Sequence, residues 1–129
     1  MSGRLLLDTN IIIALFARDA SVQKRLQQAE ETFVSIIALG ELCYGARKSA
    51  QATANLARIH EFASQSAVLD CDTETAQEYG RVKNGLRAKG RPLPENDIWI
   101  AATVMQHQLT RVSRDEHFAD IDELSVEKW

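Results

Sequence analysis

The chain has 129 residues, a formal net charge of -3 at pH 7, and is 45% hydrophobic and 26% charged, with two prolines and six glycines. Such values fit one globular domain over residues 1–129, which buries roughly two-thirds of the surface its unfolded chain exposes. They exclude disorder, a fibrous repeat and a protein that holds nucleic acid through bulk positive charge. The two cysteines, Cys43 and Cys71, have no CxxC spacing, so they read as reduced core residues and not as a zinc site or a disulfide framework. Asp8 interrupts the amino-terminal apolar run before it reaches the length of a signal peptide or membrane span, which points to a cytoplasmic protein.

In chain order, RLLL (4–7) is the first strand candidate, followed by one or two helices within Ile11 to Ala29. TFVSI (32–36) reads as a second strand. Leu39 to Ser64 then carries Leu42, Ala46, Leu56, Ile59 and Phe62 at helical spacing. SAVL (66–69) is a third strand, and Thr73 to Ala88 a further helix. In GRPLPEND (90–97) two prolines stop that helix and start the next, Asp97 to Gln106, with Asp97 in its first turn. LTRVS (109–113) and ELSVE (123–127) complete the strands. Strands alternating with helices predict a mainly parallel sheet covered on both faces, a three-layer α/β/α sandwich. Arg111 breaks the apolar pattern of the fourth strand, which reads as an edge position or a shifted register.

Four carboxylates stand at positions that carry chemistry. Asp8 follows strand 1, Glu41 lies early in the helix after strand 2, Asp97 opens the helix before strand 4, and Asp115 follows strand 4. In a parallel sheet the segments that follow the strands share one edge, where ligands bind, so Asp8, Glu41 and Asp115 converge. The long insert from Asp72 to Gly90 leaves the placement of Asp97 open. Clustered carboxylates raise one another's pKa unless a cation intervenes. A hard-oxygen set without histidine or cysteine suits Mg2+ or Mn2+, and such a site hydrolyses phosphodiesters. Thr9, Asn10, Ser35, Asn96 and Ser113 are supporting candidates, as hydrogen-bond partners of the acids or as helix caps. The plainer reading makes the acids unrelated surface residues and the polar neighbours ordinary turn or capping residues.

The segment RVKNGLRAKGR (81–91) has five basic residues and no acid, and DEHFADIDELSVEK (115–128) has six acids and one lysine. The basic strip is either a solvated helix face or a contact for a phosphate backbone, with Arg87 and Arg91 the first candidates. His60, His107 and His117 lack ligand spacing and read as surface residues, while Trp99 and Trp129 read as packing or dimer-interface residues.

The segments LLLDTNIIIALF, SIIALGELCYGARKS, KGRPLPENDIWIAATVM, VSRDEHF and LSVEKW, spanning Leu5 to Trp129, together resemble the PIN-domain ribonucleases, specifically the VapC toxins of bacterial type II toxin–antitoxin pairs. That resemblance implies a PIN-like sandwich with five strands in the order 3-2-1-4-5, a homodimer, and RNA cleavage with Mg2+ or Mn2+. By position it makes Asp8, Glu41, Asp97 and Asp115 the acidic quartet, with Asp8 and Asp97 as direct metal ligands, and so supplies the placement that spacing leaves open. It also implies a VapB-type antitoxin that blocks the pocket, with operator DNA bound only through the antitoxin. The chain departs from the pattern in three places. Ala38 replaces a hydroxyl residue at the start of the helix bearing Glu41, which is expected to remove a cap but no proposed ligand. Arg114 replaces an asparagine before the last acid, and could pair with a carboxylate or contact phosphate. Arg111 replaces an apolar strand residue, a change expected to bear on packing alone.

Alternatives are a PIN-like domain kept as a non-catalytic binding module, a haloacid-dehalogenase-like phosphatase and a response-regulator receiver. The phosphatase needs a second aspartate where this chain has Asn10, and the receiver needs a lysine that VSRDEHF lacks.

Overall fold

The computed structural model describes residues 3–129, the side chain of His117 excepted. Strand β1 (Arg4–Leu7) leads directly into helix α1 (Thr9–Phe16), and α2 (Ala20–Gln28) follows. Next come β2 (Glu31–Ser35), α3 (Ile36–Lys48), α4 (Ala52–Ser64) and β3 (Ala67–Leu69). Helices α5 (Thr73–Ala88) and α6 (Glu95–His107) precede β4 (Thr110–Ser113), a 3-10 turn (His117–Asp120) and β5 (Val126–Lys128).

The five strands form one sheet in the order β3-β2-β1-β4-β5, and every neighbouring pair is parallel. Leu5, Leu6 and Leu7 are all buried, as the middle strand of a sheet covered on both faces requires. A large core gathers Leu5, Leu6, Ile11, Ile12, Val34, Leu42, Ile59, Ile100 and Val112. A smaller one, Val82, Leu86, Ile98, Ala101, Phe118 and Ile121, joins α5 and α6 to the 3-10 turn. Among the described residues no helix is long and apolar enough to cross a membrane.

Several helix boundaries differ from the sequence reading, for local reasons. The stretch from Leu39 to Ser64 is two helices, because Ser49 takes extended backbone as the C-cap of α3 and α4 starts afresh after Gln51. Helix α1 begins at Thr9 and not Ile11, since Asp8 itself is the N-cap. Helix α3 begins at Ile36, capped by Ser35, so Ala38 falls inside the helix, fully buried, and removes no cap. Cys43 is half-buried, but Cys71 is exposed and not a core residue; both are free thiols.

The largest departure concerns Arg111. It lies on β4, an interior strand flanked by β1 and β5, and is 0% exposed. It is neither at a sheet edge nor out of register, and its role exceeds packing.

Candidate active site at the carboxyl edge of the sheet

The strand register determines which side chains meet. Leu6 pairs with Arg111 across β1 and β4. Side chains two residues apart share a sheet face, so Asp8, Arg111 and Ser113 all project to the same side. Asp8 is the first residue beyond β1, and its N–H still donates to the Val112 carbonyl at 2.9 Å. Its Oδ1 accepts from the Thr9 backbone N–H at 3.0 Å, which caps α1, and from Arg111 Nη2 at 3.1 Å. Its Oδ2 accepts from the Ser113 hydroxyl at 2.8 Å. At 5% exposure this carboxylate is nearly enclosed, and three donors offset the cost of burying it.

Asp97 reaches the same point from α6. Arg111 Nη2 donates to its Oδ1 at 3.2 Å, and Arg111 Nη1 donates to its backbone carbonyl at 3.0 Å. The position that the insert left open therefore lies at the carboxyl edge, beside Asp8. Burial pushes the Asp97 carboxyl above the ordinary aspartate value, and the charges of Asp8 and Glu41 push the same way, while Arg111 opposes them.

Glu41, half-buried on α3, accepts at Oε1 from the Thr9 hydroxyl at 2.7 Å and at Oε2 from Asn96 Nδ2 at 3.4 Å. Asn96 thus faces Glu41 and does not cap α6, whose N-cap is Pro94. The Ser113 hydroxyl joins several groups: besides donating to Asp8, it accepts from Asn10 Nδ2 at 3.2 Å and from the Asp115 N–H at 3.0 Å. This fixes the backbone of Asp115 two residues beyond β4, next to Asp8's own hydrogen-bond partner.

Other candidates lie further out. Ser35 is buried and donates nothing to the acids; its Oγ accepts from the Ile37 N–H at 3.0 Å and caps α3. Arg114 turns away from Asp115 and pairs with Asp19 at 2.7 Å, at the start of α2. In the basic strip, Arg81 pairs with Glu78 and Glu123, Lys83 with Glu95, and Lys89 with Asp122. Arg87 and Arg91 are exposed and have no side-chain partner among the described residues. His60 is exposed and His107 half-buried, while the side chain of His117 lies outside the described ones. Trp99 stacks on Tyr79 with ring centroids 4.1 Å apart, and Arg25 lies over Trp129, so both indoles pack within the chain.

Arg111 is the site residue that the sequence reading assigned elsewhere. Its guanidinium joins Asp8 to Asp97 and lies 3.5 Å from the centroid of the Phe118 ring. The available signal was an arginine inside an apolar strand, which must find a counter-charge if the strand is interior.

Among the described residues no three His, Cys, Asp or Glu side chains are already gathered into a shell for a metal ion. The donor set still fits a hard divalent cation. Mg2+ keeps most of its waters and commonly takes only one or two protein carboxylates, and Asp8 and Asp97 are two that converge, with Glu41 close enough to act on Asp97.

A fully parallel α/β/α sheet whose carboxyl edge gathers acids from β1, α3 and α6 defines a class of small catalytic domain. The PIN domain family matches residues 5–124. Ribonuclease VapC2 of Haemophilus influenzae is 36% identical over 98% of each chain. The tRNA(fMet)-specific endonuclease VapC of Shigella flexneri is 34% identical over the same shares. The crystal structure of DNA-bound VapBC from Salmonella typhimurium superposes with a TM-score of 0.90 at 32% identity, over 100% of this chain and 99% of that one. The chain belongs to the PIN-domain family, in its VapC group.

Proposed function

We propose that the chain is the toxin of a toxin–antitoxin pair and acts as a metal-dependent endoribonuclease, with residues 1–129 working as a single PIN domain in the cytoplasm. The observation that carries this reading is the meeting of Asp8 and Asp97, from β1 and α6, at the sheet edge where ligands bind in parallel α/β folds. Relatives named as ribonucleases support RNA as the substrate.

In this reading Asp8 and Asp97 hold Mg2+ or Mn2+, and Glu41 and Asp115 complete the acidic set. When bound, the ion supplies an activated water and stabilises the leaving oxygen of the phosphodiester. Ser113 orients Asp8 by donating to Oδ2, and Thr9 orients Glu41 by donating to Oε1. Asn10 holds Ser113 in turn, and Asn96 steadies the outer oxygen of Glu41. Glu41, with an oxygen only loosely engaged by Asn96, is placed to accept the proton of an attacking water. Arg87 and Arg91 contact the RNA backbone, and Arg114, which pairs with Asp19, is the third candidate for such a contact.

Exposed Ile13, Ile36 and Tyr44 flank grooves of about 380 and 590 Å³ that both include Glu41. Apolar residues rimming an acidic site suit a covering protein, in this reading a VapB-type antitoxin that carries the operator-DNA contacts, with the toxin itself a homodimer. Solved relatives are VapBC complexes, some of them bound to DNA, which supports such a partner.

The test is incubation of the purified protein with transfer, ribosomal and messenger RNA in Mg2+ or Mn2+ and in EDTA. Discrete fragments that need the metal are expected. Undiminished cleavage in EDTA, or intact RNA under every condition, would contradict the reading.

A further inference from the structure

We propose that Arg111 is a built-in cation of the acidic site: its guanidinium takes the place between Asp8 and Asp97 that one divalent ion would fill, so the site admits a single divalent ion beside it. This rests on the metal-dependent reading of the same site and adds how many ions it takes and how tightly.

Four observations carry the inference. Nη2 lies 3.1 Å from Asp8 Oδ1 and 3.2 Å from Asp97 Oδ1, so one nitrogen bridges the two carboxylates as a shared cation would. Nη1 is tied to the Asp97 carbonyl at 3.0 Å, which anchors the first turn of α6 to the strand. The Phe118 ring lies over the guanidinium, and the side chain is 0% exposed, so it has no open path by which to swing aside. Finally, Nε has no hydrogen-bond partner although it is buried. An arginine chosen for packing alone would satisfy that donor or be replaced by an apolar residue at lower cost. Here the charge itself is what the position requires, because two carboxylates this close need a cation between them.

A two-ion site places its metals roughly 3.5–4 Å apart around shared carboxylate oxygens. With Oδ1 of both aspartates engaged by Arg111, a single ion would be held by the Oδ2 oxygens of Asp8 and Asp97, with Glu41 near enough to act on Asp97. Arg111 also compensates the acids when no metal is present, so the fold does not depend on a divalent ion.

The experiment titrates Mn2+ into the metal-free protein by calorimetry and records the melting temperature in EDTA and in Mn2+, for the natural chain and for Arg111→Met and Arg111→Lys. For the natural chain one Mn2+ per chain is expected, with a small melting shift. Arg111→Met should bind Mn2+ at least about tenfold more tightly, because a positive charge beside the ion is gone, and show the larger melting shift. Arg111→Lys, which keeps the charge, should stay near the natural affinity. Two Mn2+ per natural chain would overturn the inference, and this holds even if Arg111→Met fails to fold. Equal Mn2+ affinity and equal melting shift in all three proteins would also overturn it and leave the metal-dependent reading standing. No Mn2+ binding by any of them would remove that reading, and this inference with it.

Discussion

Arg111 Nη2 and Asp8 Oδ1 lie 3.1 Å apart, and both side chains are enclosed between β4 and the first residue beyond β1. Removing one partner of such a pair leaves an uncompensated buried charge, which costs on the order of 3–5 kcal/mol. Asp8→Ala should therefore lower stability in urea denaturation by about that amount. Asp8→Asn also removes the charge but keeps one oxygen, enough for the Thr9 N–H and not also for the Ser113 hydroxyl, so its loss should be smaller only by what that helix cap contributes. A loss well below that range in both variants, each of which removes the charge, would show that the charge pair contributes little to the fold.

Thr9 sits at the mouth of the site, where its hydroxyl donates to Glu41 at 2.7 Å. Thr9→Val removes that donor and keeps the shape of the side chain. Cleavage should fall roughly 10–100-fold, the usual effect of losing a residue that orients a ligand or base. The urea midpoint should move little, because the residue is half-buried at a helix start. An unchanged cleavage rate would mean that Glu41 needs no orienting.

Asp72 caps α5 by accepting from the Thr75 N–H at 3.1 Å, and the Thr75 hydroxyl completes a capping box. Mainly through that backbone bond, its carboxyl is held below the ordinary value of 3.8. A lowered folded-state pKa means that the contribution is present above the unfolded value and is lost as pH falls through the folded one. The stability gap between the natural chain and Asp72→Ala should be full at pH 7 and narrow below about pH 4. A gap that is equal or wider at pH 3 would contradict the capping account.

Arg87 and Arg91 remain exposed beyond the ion pairs that occupy the rest of their strip. Replacing both with Gln should weaken RNA binding and flatten its salt dependence. On a single strand the log–log slope should drop by about 0.7 for each phosphate that an arginine no longer neutralises. Binding isotherms across a salt series provide the check. Parallel slopes for the two proteins would place the RNA elsewhere.

Much of the architecture is readable from periodicity. Leu5, Leu6 and Leu7 form an apolar run without alternation, which is what a strand covered on both faces must be, and the alternation of strands and helices then yields the parallel sheet. Asp8 can be placed because a carboxylate directly after such a strand can only stand at the sheet edge. Asp97 cannot be placed this way, because α5 intervenes, and where α6 starts depends on how α5 and α6 pack and not on local sequence. The role of Arg111 escapes local pattern because strand order is a non-local property. The same TRVS would suit an edge, and only the pairing of β4 with both β1 and β5 makes its arginine interior. Polar neighbours such as Ser35 and Asn96 divide between capping and contact with the acids according to helix starts that lie two or three residues from where the sequence suggests.

We propose the carboxylates converging on Arg111 as the catalytic centre of a metal-dependent ribonuclease. The most direct test is the single-turnover cleavage rate of a transfer RNA in Mn2+ for the natural chain and for Asp97→Asn, each shown by circular dichroism to be folded. The substitution changes one charge and keeps the size of the side chain, so the rate should fall at least about a hundredfold, as when a group that stabilises the reacting centre is removed. An Asp97→Asn protein that is folded and cleaves as fast as the natural chain would contradict the account.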